Sequence, residues 1–342
     1  MKKINCPDVK DNFMWDIWMS MYHLTILSVA DELALFVHLN NKSLSLIQLA
    51  QALQLNSRSI EILVNPLVCF GLLNQNNNNK FDLTPTSKAY LLPESPFYWG
   101  AIFEAQRNRE EHKKIIEAIN AGSNQLHFEG KVITDMWKEG SITPEAARNF
   151  TKKMHATIFA PSIGAIKSGL FKSTKKLLDV GGGSGCFSIA FMQEYPQREA
   201  MVFELPAVCN ETKKYIEQYN LLDKISVHPG NFFNEENWPT GFDGVLLSQI
   251  VHDWPLDQCK EILKHAYNSM PTGGKIYIHE MLLDEDRISP LTTACFDLLM
   301  FINHKSQQFT KNELFDLLKI IGFKNPHMEK TFGYYSVITA IK

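Results

Sequence analysis

The stretch Lys175-Lys-Leu-Leu-Asp-Val-Gly-Gly-Gly-Ser-Gly185 decides the fold of this chain. Leu177, Leu178 and Val180 form a short apolar run, which is typical of a strand buried on both faces. Four glycines then crowd a turn, and Phe187 to Glu194 follows with helical spacing. Because glycine lets the backbone approach a ligand closely, this order of strand, glycine turn and helix predicts the nucleotide-cradling start of a doubly wound α/β domain.

The spacing of these glycines distinguishes between two kinds of nucleotide ligand. A dinucleotide fingerprint has its third glycine at the position held by Cys186, whereas the turn here runs Gly181-x-Gly183-x-Gly185 after Asp179. This spacing is typical of sites for S-adenosylmethionine (SAM). Glu204 ends the next apolar run about 20 residues on, where an acid binds ribose hydroxyls. Glycines also form tight turns without a ligand, but the acid at this place favours the cofactor interpretation.

The composition is that of a globular protein with two domains. The chain has 342 residues, 45% hydrophobic and 21% charged, with a net charge of −3. This balance gives no general attraction to nucleic acid or to an anionic membrane. Six cysteines without paired spacing argue against a disulfide framework or a zinc site. Met1-Lys2-Lys3 could open a signal peptide, but acidic residues interrupt the apolar stretch that follows, and no run reaches ~18 apolar residues. We therefore expect a cytoplasmic protein without a membrane segment.

Residues 13–39 carry large apolar side chains at helical spacing. Trp15, Trp18, Met19 and Tyr22 lead this stripe. One interpretation is a helix in the core of its own subunit. The other is a subunit interface, where Trp, Met and Tyr are enriched. The sequence leaves both open.

Residues 43–92 have the pattern of a winged helix. Ser43 and Ser57 each stand where they can cap a helix, and two short apolar runs flank a polar tip, as in a small β-wing. Winged helices often bind DNA, so a transcription regulator is an alternative function. The predicted recognition helix, 57–69, carries Arg58 and Glu61 as its only charges, whereas a DNA reader needs several Lys or Arg. We interpret the segment as a scaffold.

Strands and helices alternate from residue 175 onward. We expect a helical winged-helix domain over 1–165 and an α/β domain over 166–342. Strands are predicted at 176–180, 200–204, 225–229, 243–248 and 275–282, and helices at 185–194, 207–219, 256–269 and 310–321. A terminal hairpin at 327–331 and 334–341 would complete a seven-stranded, Rossmann-like sheet, whose ligand lies at the carboxyl ends of the parallel strands.

Polar residues stand at several of these strand ends. Asn231 and Phe232, after the third strand, can hydrogen-bond and face an adenine. His252, after the fourth, is a candidate general base, because a phenol with a pKa of about 10 needs a proton acceptor to react at neutral pH. Glu280 on the neighbouring strand, or Asp253, could fix its tautomer. Asp253 is also explained as an acid at a helix start, and His252 as a satisfied histidine at a strand end.

The motifs together resemble those of the SAM-dependent O-methyltransferases of the caffeic acid, hydroxyindole and bacterial polyketide type. The matching stretches are Leu177–Gly185, Phe203-Glu-Leu-Pro206, Val251-His-Asp-Trp254 and Gly273–Glu280. The N-terminal helices and the winged-helix segment are similar to the dimerisation domain of the same family.

The resemblance implies a role for each matching residue. His252 would be the base and Glu280 a carboxylate beside it. The residues around SAM would be Gly181, Gly183, Glu204, Leu205, Asn231, Phe232, Ser248 and, near the adenine, Trp254. The residues lining the acceptor pocket would be Phe150, Met154, Met300 and Phe301. It also implies a homodimer and a small-molecule hydroxyl acceptor. We expect no metal, because the base is histidine and no His/Asp/Glu cluster has ligand spacing.

Three positions depart from the family pattern. Glu204 replaces the usual Asp, and Asn231 replaces another Asp and loses its charge. The usual Gly-Gly-x-Glu-Arg-Thr becomes Lys305-Ser-Gln-Gln-Phe-Thr310, which puts Gln308 where a second carboxylate beside the histidine would stand. The leading hypothesis is methyl transfer from SAM to a hydroxyl of a small aromatic or polyketide-like molecule. A family member with altered chemistry, such as a hydroxylase, a decarboxylase or a rearrangement catalyst, is the alternative within this fold.

Overall fold

The computed structural model describes residues 4–123, 127–128 and 131–342, without the side chains of residues 127, 128 and 131. The Met1-Lys2-Lys3 start lies outside the described residues. The chain forms two compact units that are interleaved along the sequence. Among the described residues, one comprises 4–12, 127–128, 131–282 and 311–342, and the other comprises 13–123 and 283–310.

The N-terminal part of the described chain is mostly helical, and strands alternate with helices from Lys176 to Met281. The helices are α1 Asn12–Ser20, α2 His23–Glu32, α3 Leu35–Leu39, α4 Leu46–Leu53, α5 Ser57–Cys69, α6 Pro85–Tyr90, α7 Gly100–Gln106, α8 Glu110–Ala121, α9 Ile133–Glu139, α10 Pro144–Lys167, α11 Cys186–Glu194, α12 Pro206–Gln218, α13 Leu256–Ser269, α14 Leu291–His304 and α15 Lys311–Ile321. The strands are β1 Leu44–Ser45, β2 Leu73–Gln75, β3 Lys80–Leu83, β4 His127–Phe128, β5 Lys131–Val132, β6 Lys176–Val180, β7 Glu199–Glu204, β8 Ile225–Pro229, β9 Gly244–Ser248, β10 Lys275–Met281, β11 Lys324–Lys330 and β12 Tyr335–Ile341.

A seven-stranded sheet in the order β11-β12-β10-β9-β6-β7-β8 organises the α/β unit. Strands β6 to β10 run parallel, while β12 is antiparallel to both β10 and β11. The predicted Rossmann-like fold class and seven-stranded sheet are thus confirmed. The three apolar residues of β6 that define the opening stretch are 0% exposed, as expected for a central strand covered on both faces. Consequently the carboxyl ends of five parallel strands meet at one edge.

The N-terminal apolar stripe forms three short helices in the helical unit. Trp15, Met19 and Tyr22 are buried within the subunit, so the core interpretation holds for them. The interface interpretation does not hold for these three residues. A different face is exposed, at Phe13 (72%), Ile17 (51%) and their neighbours Met14, Met21 and Leu24.

The winged-helix pattern is present, with other capping residues than predicted. Strands β1, β3 and β2 form a three-stranded antiparallel sheet. Ser45, not Ser43, caps α4 through a capping box with Gln48. Asn56, not Ser57, caps α5 by accepting the Ser59 N–H at 2.7 Å. An Asn or Ser one or two positions away can accept hydrogen bonds from the same unpaired N–H groups of the first turn. The presence of each helix was therefore predictable, while its first residue was not.

The charges of α5 are engaged within the helical unit. Arg58 donates to both carboxylate oxygens of Asp297, at 2.9 and 2.7 Å, and to Glu61 at 2.7 Å. Arg287 completes the network, with its Nε 3.1 Å from Glu61. Arg58, the only cation of α5, is therefore paired with these carboxylates. The predicted recognition helix has no other basic side chain that could contact DNA phosphates, which disfavours the DNA-binding alternative. Among the described residues, no helix combines the length and apolar character that a bilayer crossing requires.

Candidate active site

The glycine turn follows β6 at the carboxyl edge of the sheet. Gly181 and Gly183 have φ of +63° and +54°, a region in which side chains are strained. A side chain at Gly181 would also begin 2.5 Å from Ile250 and 3.6 Å from the Phe232 ring, whereas nothing lies within 4 Å of the corresponding point at Gly183. The turn is therefore closely packed at Gly181 and open at Gly183.

Glu204 lies at the end of β7 with its carboxylate against this turn. One oxygen accepts the Gly183 N–H at 3.0 Å and the other accepts the Leu205 N–H at 2.7 Å. Burial raises the pKa of Glu204 to about 7, and these two hydrogen bonds oppose the rise. The structure brings together Gly183, Glu204 and Leu205, three of the residues that the resemblance places around the cofactor.

Aromatic residues stand near the Gly181 end of the turn. The Phe232 and Trp254 rings lie 6.0 Å apart, centroid to centroid, in an edge-to-face arrangement. The Phe233 ring packs against both of them. This group offers apolar ring surface close to the closely packed part of the turn.

Ser248, at the end of β9, has its hydroxyl 2.9 Å from Nδ1 of His279. Burial lowers the pKa of His279 to about 3, so that imidazole is neutral. This pairing could not be found from the sequence, because the two residues become neighbours only through the β9–β10 register.

His252 lies between two carboxylates. Its Nδ1 is 3.5 Å from Glu280 and its Nε2 is 3.5 Å from Asp253, and the histidine is only 3% exposed. Glu280, which the sequence placed on the neighbouring strand, does reach His252. Asp253, which is also explained as an acid at a helix start, lies as close to His252 as Glu280 does. Burial raises the pKa of Asp253 to about 7, and Lys153 of α10 opposes the rise.

Gln249 is a further member of this group that the sequence pattern did not reveal. Its side-chain N–H donates to Glu280 at 2.8 Å, and its backbone adopts φ of +54°. Glu280 also accepts the Val251 N–H at 3.2 Å. Burial, followed by the charge of Asp253, raises the pKa of Glu280 well above its ordinary value. Strained backbone often marks a functional site, but a positive φ at a glutamine cannot be read from sequence.

The residues predicted to line the acceptor pocket fall in both units. Phe150 and Met154 lie on α10 of the α/β unit, where Phe150 is 40% exposed and packs against Trp137 at 4.9 Å. Met300 and Phe301 lie on α14 of the helical unit, both buried, with the Arg58 guanidinium 6.0 Å from the Phe301 ring centroid. Gln308 is buried in the same unit, and its N–H donates to Asp297 at 2.6 Å.

No group of three His, Cys, Asp or Glu side chains is arranged to hold a metal ion within residues 4–123, 127–128 and 131–342. The carboxylates of Glu204 and Glu280 instead accept hydrogen bonds from backbone and side-chain N–H groups.

A doubly wound sheet with a glycine turn and a following acid at its carboxyl edge defines the class of nucleotide-binding α/β proteins. Comparison with protein families places the chain within it. The family model for the O-methyltransferase domain matches residues 112–324, more than half of the chain, and that for the O-methyltransferase dimerisation domain matches residues 15–93. The chain therefore belongs to the O-methyltransferase family.

Several known proteins are similar to this chain. The 3-hydroxy-5-methyl-1-naphthoate 3-O-methyltransferase of Streptomyces sahachiroi is 28% identical over 90% of this chain and 88% of its own length. Acetylserotonin O-methyltransferase of Bos taurus is 34% identical, over 48% of this chain and 47% of its own length. A solved O-methyltransferase family 2 protein from Planctomyces limnophilus, in complex with apigenin, superimposes with a TM-score of 0.83 over 99% of this chain and 98% of its own, at 24% identity.

Proposed function

We propose that this protein transfers a methyl group from SAM to a hydroxyl of a small aromatic molecule, with His252 as the general base. The observation that carries the proposal is the position of His252. It lies just beyond β9, at the sheet edge that bears the glycine turn, with one carboxylate 3.5 Å from each ring nitrogen. An imidazole held between carboxylates is suited to accepting a proton and stabilising the charge that results.

The residues at the turn fit a nucleoside cofactor. The open side of Gly183 leaves room for a ligand close to the backbone, and the Glu204 carboxylate beside it has capacity to accept ribose hydroxyls. Phe232 and Trp254 offer apolar surface suited to a flat base. When bound there, SAM would supply an electrophilic methyl group on a sulfonium sulfur.

The chain's own contribution to the reaction is the removal of a proton. Nδ1 of His252 faces Glu280 and Nε2 faces Asp253, each at 3.5 Å, and we assign the N–H to Nδ1 and the basic lone pair to Nε2. That lone pair takes the proton of the acceptor hydroxyl as its oxygen attacks. Asp253 and Glu280 then stabilise the imidazolium, and Gln249 holds Glu280 by its hydrogen bond. General-base assistance of this kind contributes about 10²–10⁴-fold.

The acceptor class rests on the family relatives. The names of the two relatives specify a naphthoate and acetylserotonin, and the Planctomyces protein binds apigenin. All three molecules are aromatic, so we propose an aromatic acceptor for this chain. The acceptor-lining roles of Phe150, Met154, Met300 and Phe301 remain proposals that rest on the resemblance.

Single-turnover methylation of a panel of aromatic hydroxyl compounds tests this proposal. His252→Ala should lose about 10²-fold or more in rate and should bind S-adenosylhomocysteine (SAH) almost normally, because the cofactor contacts lie elsewhere. Glu280→Gln should lose less, since it orients the base. If the reaction is methyl transfer, Gln308→Glu should raise the rate, because Gln308 stands at the sequence position of the family's second carboxylate. Full activity in His252→Ala would exclude the general-base role.

We also propose a homodimer that uses the exposed face of α1 and the start of α2. The dimerisation-domain match and the exposed stripe of Phe13, Met14, Ile17, Met21 and Leu24 support it. Light scattering should give about twice the 39.1 kDa chain mass. Ile17→Asp should shift the mass toward one chain, while the same change at Ile47, an isoleucine 62% exposed on α4, should not. A monomeric wild-type protein at micromolar concentration would contradict the proposal.

A further inference from the structure

Asn231 is held at both ends of its side-chain amide. Its oxygen accepts the Phe233 N–H at 2.9 Å, within its own loop after β8. Its Nδ2 donates to the backbone carbonyl of Lys138 at 2.6 Å. The Asn231 backbone N–H in turn donates to the side chain of Asn237 at 3.1 Å. These three contacts fix the direction in which the amide N–H group points.

The acceptor of that hydrogen bond is an orphan carbonyl. Lys138 lies in the last turn of α9, where carbonyl groups have no partner within the helix. The N–H groups of Gly140 and Ser141 close the helix on the carbonyls of Trp137 and Met136. They leave the Lys138 carbonyl to Asn231, which therefore completes the C-terminus of a helix 93 residues away in sequence.

Helix α9 and the residues after it lie on the proposed cofactor edge. A side chain at Gly140 would begin 3.4 Å from Leu205 and 3.9 Å from Asn231. Ile142 packs in one cluster with Leu205, and Trp137 contacts Phe150 as well. The segment thus touches the ends of β7 and β8 and a residue proposed to line the acceptor site.

We infer that Asn231 is a positioning residue that seats α9 over the cofactor edge, and that an aspartate at this position could not do so. The inference rests on the proposed function. A carboxylate at this position would keep the Phe233 hydrogen bond but would place a second acceptor against the Lys138 carbonyl, where the Asn231 amide now donates at 2.6 Å. It would also set a negative charge at the negative end of the helix dipole. An asparagine can therefore hold α9 at this position, whereas an aspartate cannot.

Seating of α9 should slow cofactor exchange. The hydrogen bond from Asn231 to the Lys138 carbonyl is called the latch here. Without the latch, the segment around Gly140 keeps its apolar contact through Ile142 and Leu205 but loses its polar tether to the loop after β8, so it should move away from the cofactor edge more often. We expect Asn231→Asp to raise the SAH dissociation rate roughly tenfold, the size of effect expected when one partly buried hydrogen bond is replaced by a repulsive contact.

Hydrogen exchange of the unliganded protein tests the latch independently of the function. In Asn231→Asp at pH 8, the amides of residues 140 and 141 should exchange faster than in wild type, while those of β6 and β9 should not change. Asn237→Asp is the matched control, since it adds the same charge nearby and keeps the acceptor for the Asn231 N–H.

The outcomes separate the inference from the proposed function. Unchanged exchange at residues 140 and 141 in Asn231→Asp, or equal acceleration in Asn237→Asp, would overturn the latch. Faster exchange with an unchanged SAH dissociation rate would overturn its role in cofactor exchange. Failure of the wild-type protein to bind SAH would overturn the proposed function while leaving the exchange result intact.

Discussion

SAH binding should depend on pH through a single buried acid. Glu204 is 6% exposed, and burial raises its pKa to about 7 in the unliganded protein. Ribose hydroxyls donate hydrogen bonds, so the ionised carboxylate is the form that binds them best. Affinity should therefore increase as pH rises through 7, in a range where most surface carboxylates are already ionised.

The magnitude follows from the fraction of Glu204 that is ionised. With a pKa of about 7, this fraction is about one-eleventh at pH 6 and about ten-elevenths at pH 8. Because the apparent dissociation constant is the intrinsic one divided by the competent fraction, SAH should bind about tenfold more tightly at pH 8. A tenfold change corresponds to about 1.4 kcal/mol.

Isothermal titration calorimetry with SAH at pH 6, 7 and 8 measures this dependence. Glu204→Gln should bind SAH weakly and with little change across that range. Asp253→Asn is the matched control, because burial raises the pKa of Asp253 to about 7 too, yet it faces His252 and not the glycine turn. That variant should keep the tenfold dependence. Equal affinity of the wild-type protein at pH 6 and pH 8 would refute the reasoning, as would loss of the dependence in Asp253→Asn alone.

Two further predictions concern stability and are measured by urea denaturation. Arg58→Met should destabilise the protein by about 3–5 kcal/mol, because it leaves Asp297, 3% exposed, without its bidentate partner, whereas Lys214→Met in the exposed pair with Glu211 should cost less than about 1 kcal/mol. Ser45→Ala should cost about 1 kcal/mol through loss of the capping box, and Ser43→Ala should have almost no effect. Equal losses within either pair of variants would contradict the structural assignments.

The parts of the fold that sequence predicted well are those set by local patterns. Strand β6 and the glycine turn follow from three closely spaced apolar residues and four glycines, and the alternation that follows sets the parallel sheet. The interleaving of the two units, in contrast, depends on contacts between residues far apart in sequence. The segment 283–310 joins the helical unit through contacts such as Arg58 with Asp297, between residues far apart in sequence. A single boundary near residue 165 assumes continuous domains, and no local pattern reveals otherwise.

The candidate site shows the same division. His252, Glu280 and Glu204 could be identified because each stands at the end of a predicted strand, where ligands bind in this topology. Gln249 and the α9 contact of Asn231 could not, since both depend on backbone geometry and on side-chain directions. The face of α1 that is exposed was likewise missed, because helical periodicity places residues on faces without saying which face is covered.

A last prediction concerns Asp179, the acid within β6 just before the glycine turn. It is 1% exposed and accepts hydrogen bonds from the N–H and hydroxyl of Ser188, yet burial still raises its pKa from 3.8 to about 6. The folded state then binds a proton more tightly than the unfolded state, so this residue makes the protein less stable as pH rises from about 4 to about 6. A shift of about two pKa units corresponds to roughly 3 kcal/mol.

The substitution Asp179→Asn removes this titrating charge, so the stability of the variant relative to wild type should increase over this pH range and level off above it. Taking the difference between the two proteins cancels the titration of the groups that Asp179 does not influence; Glu204 is not among them, because the charge of Asp179 raises its pKa. Urea denaturation of both proteins at pH 4, 5, 6 and 7 gives that difference directly. A difference that falls as pH rises would mean that the Ser188 hydrogen bonds outweigh burial and that Asp179 stabilises the turn as a carboxylate.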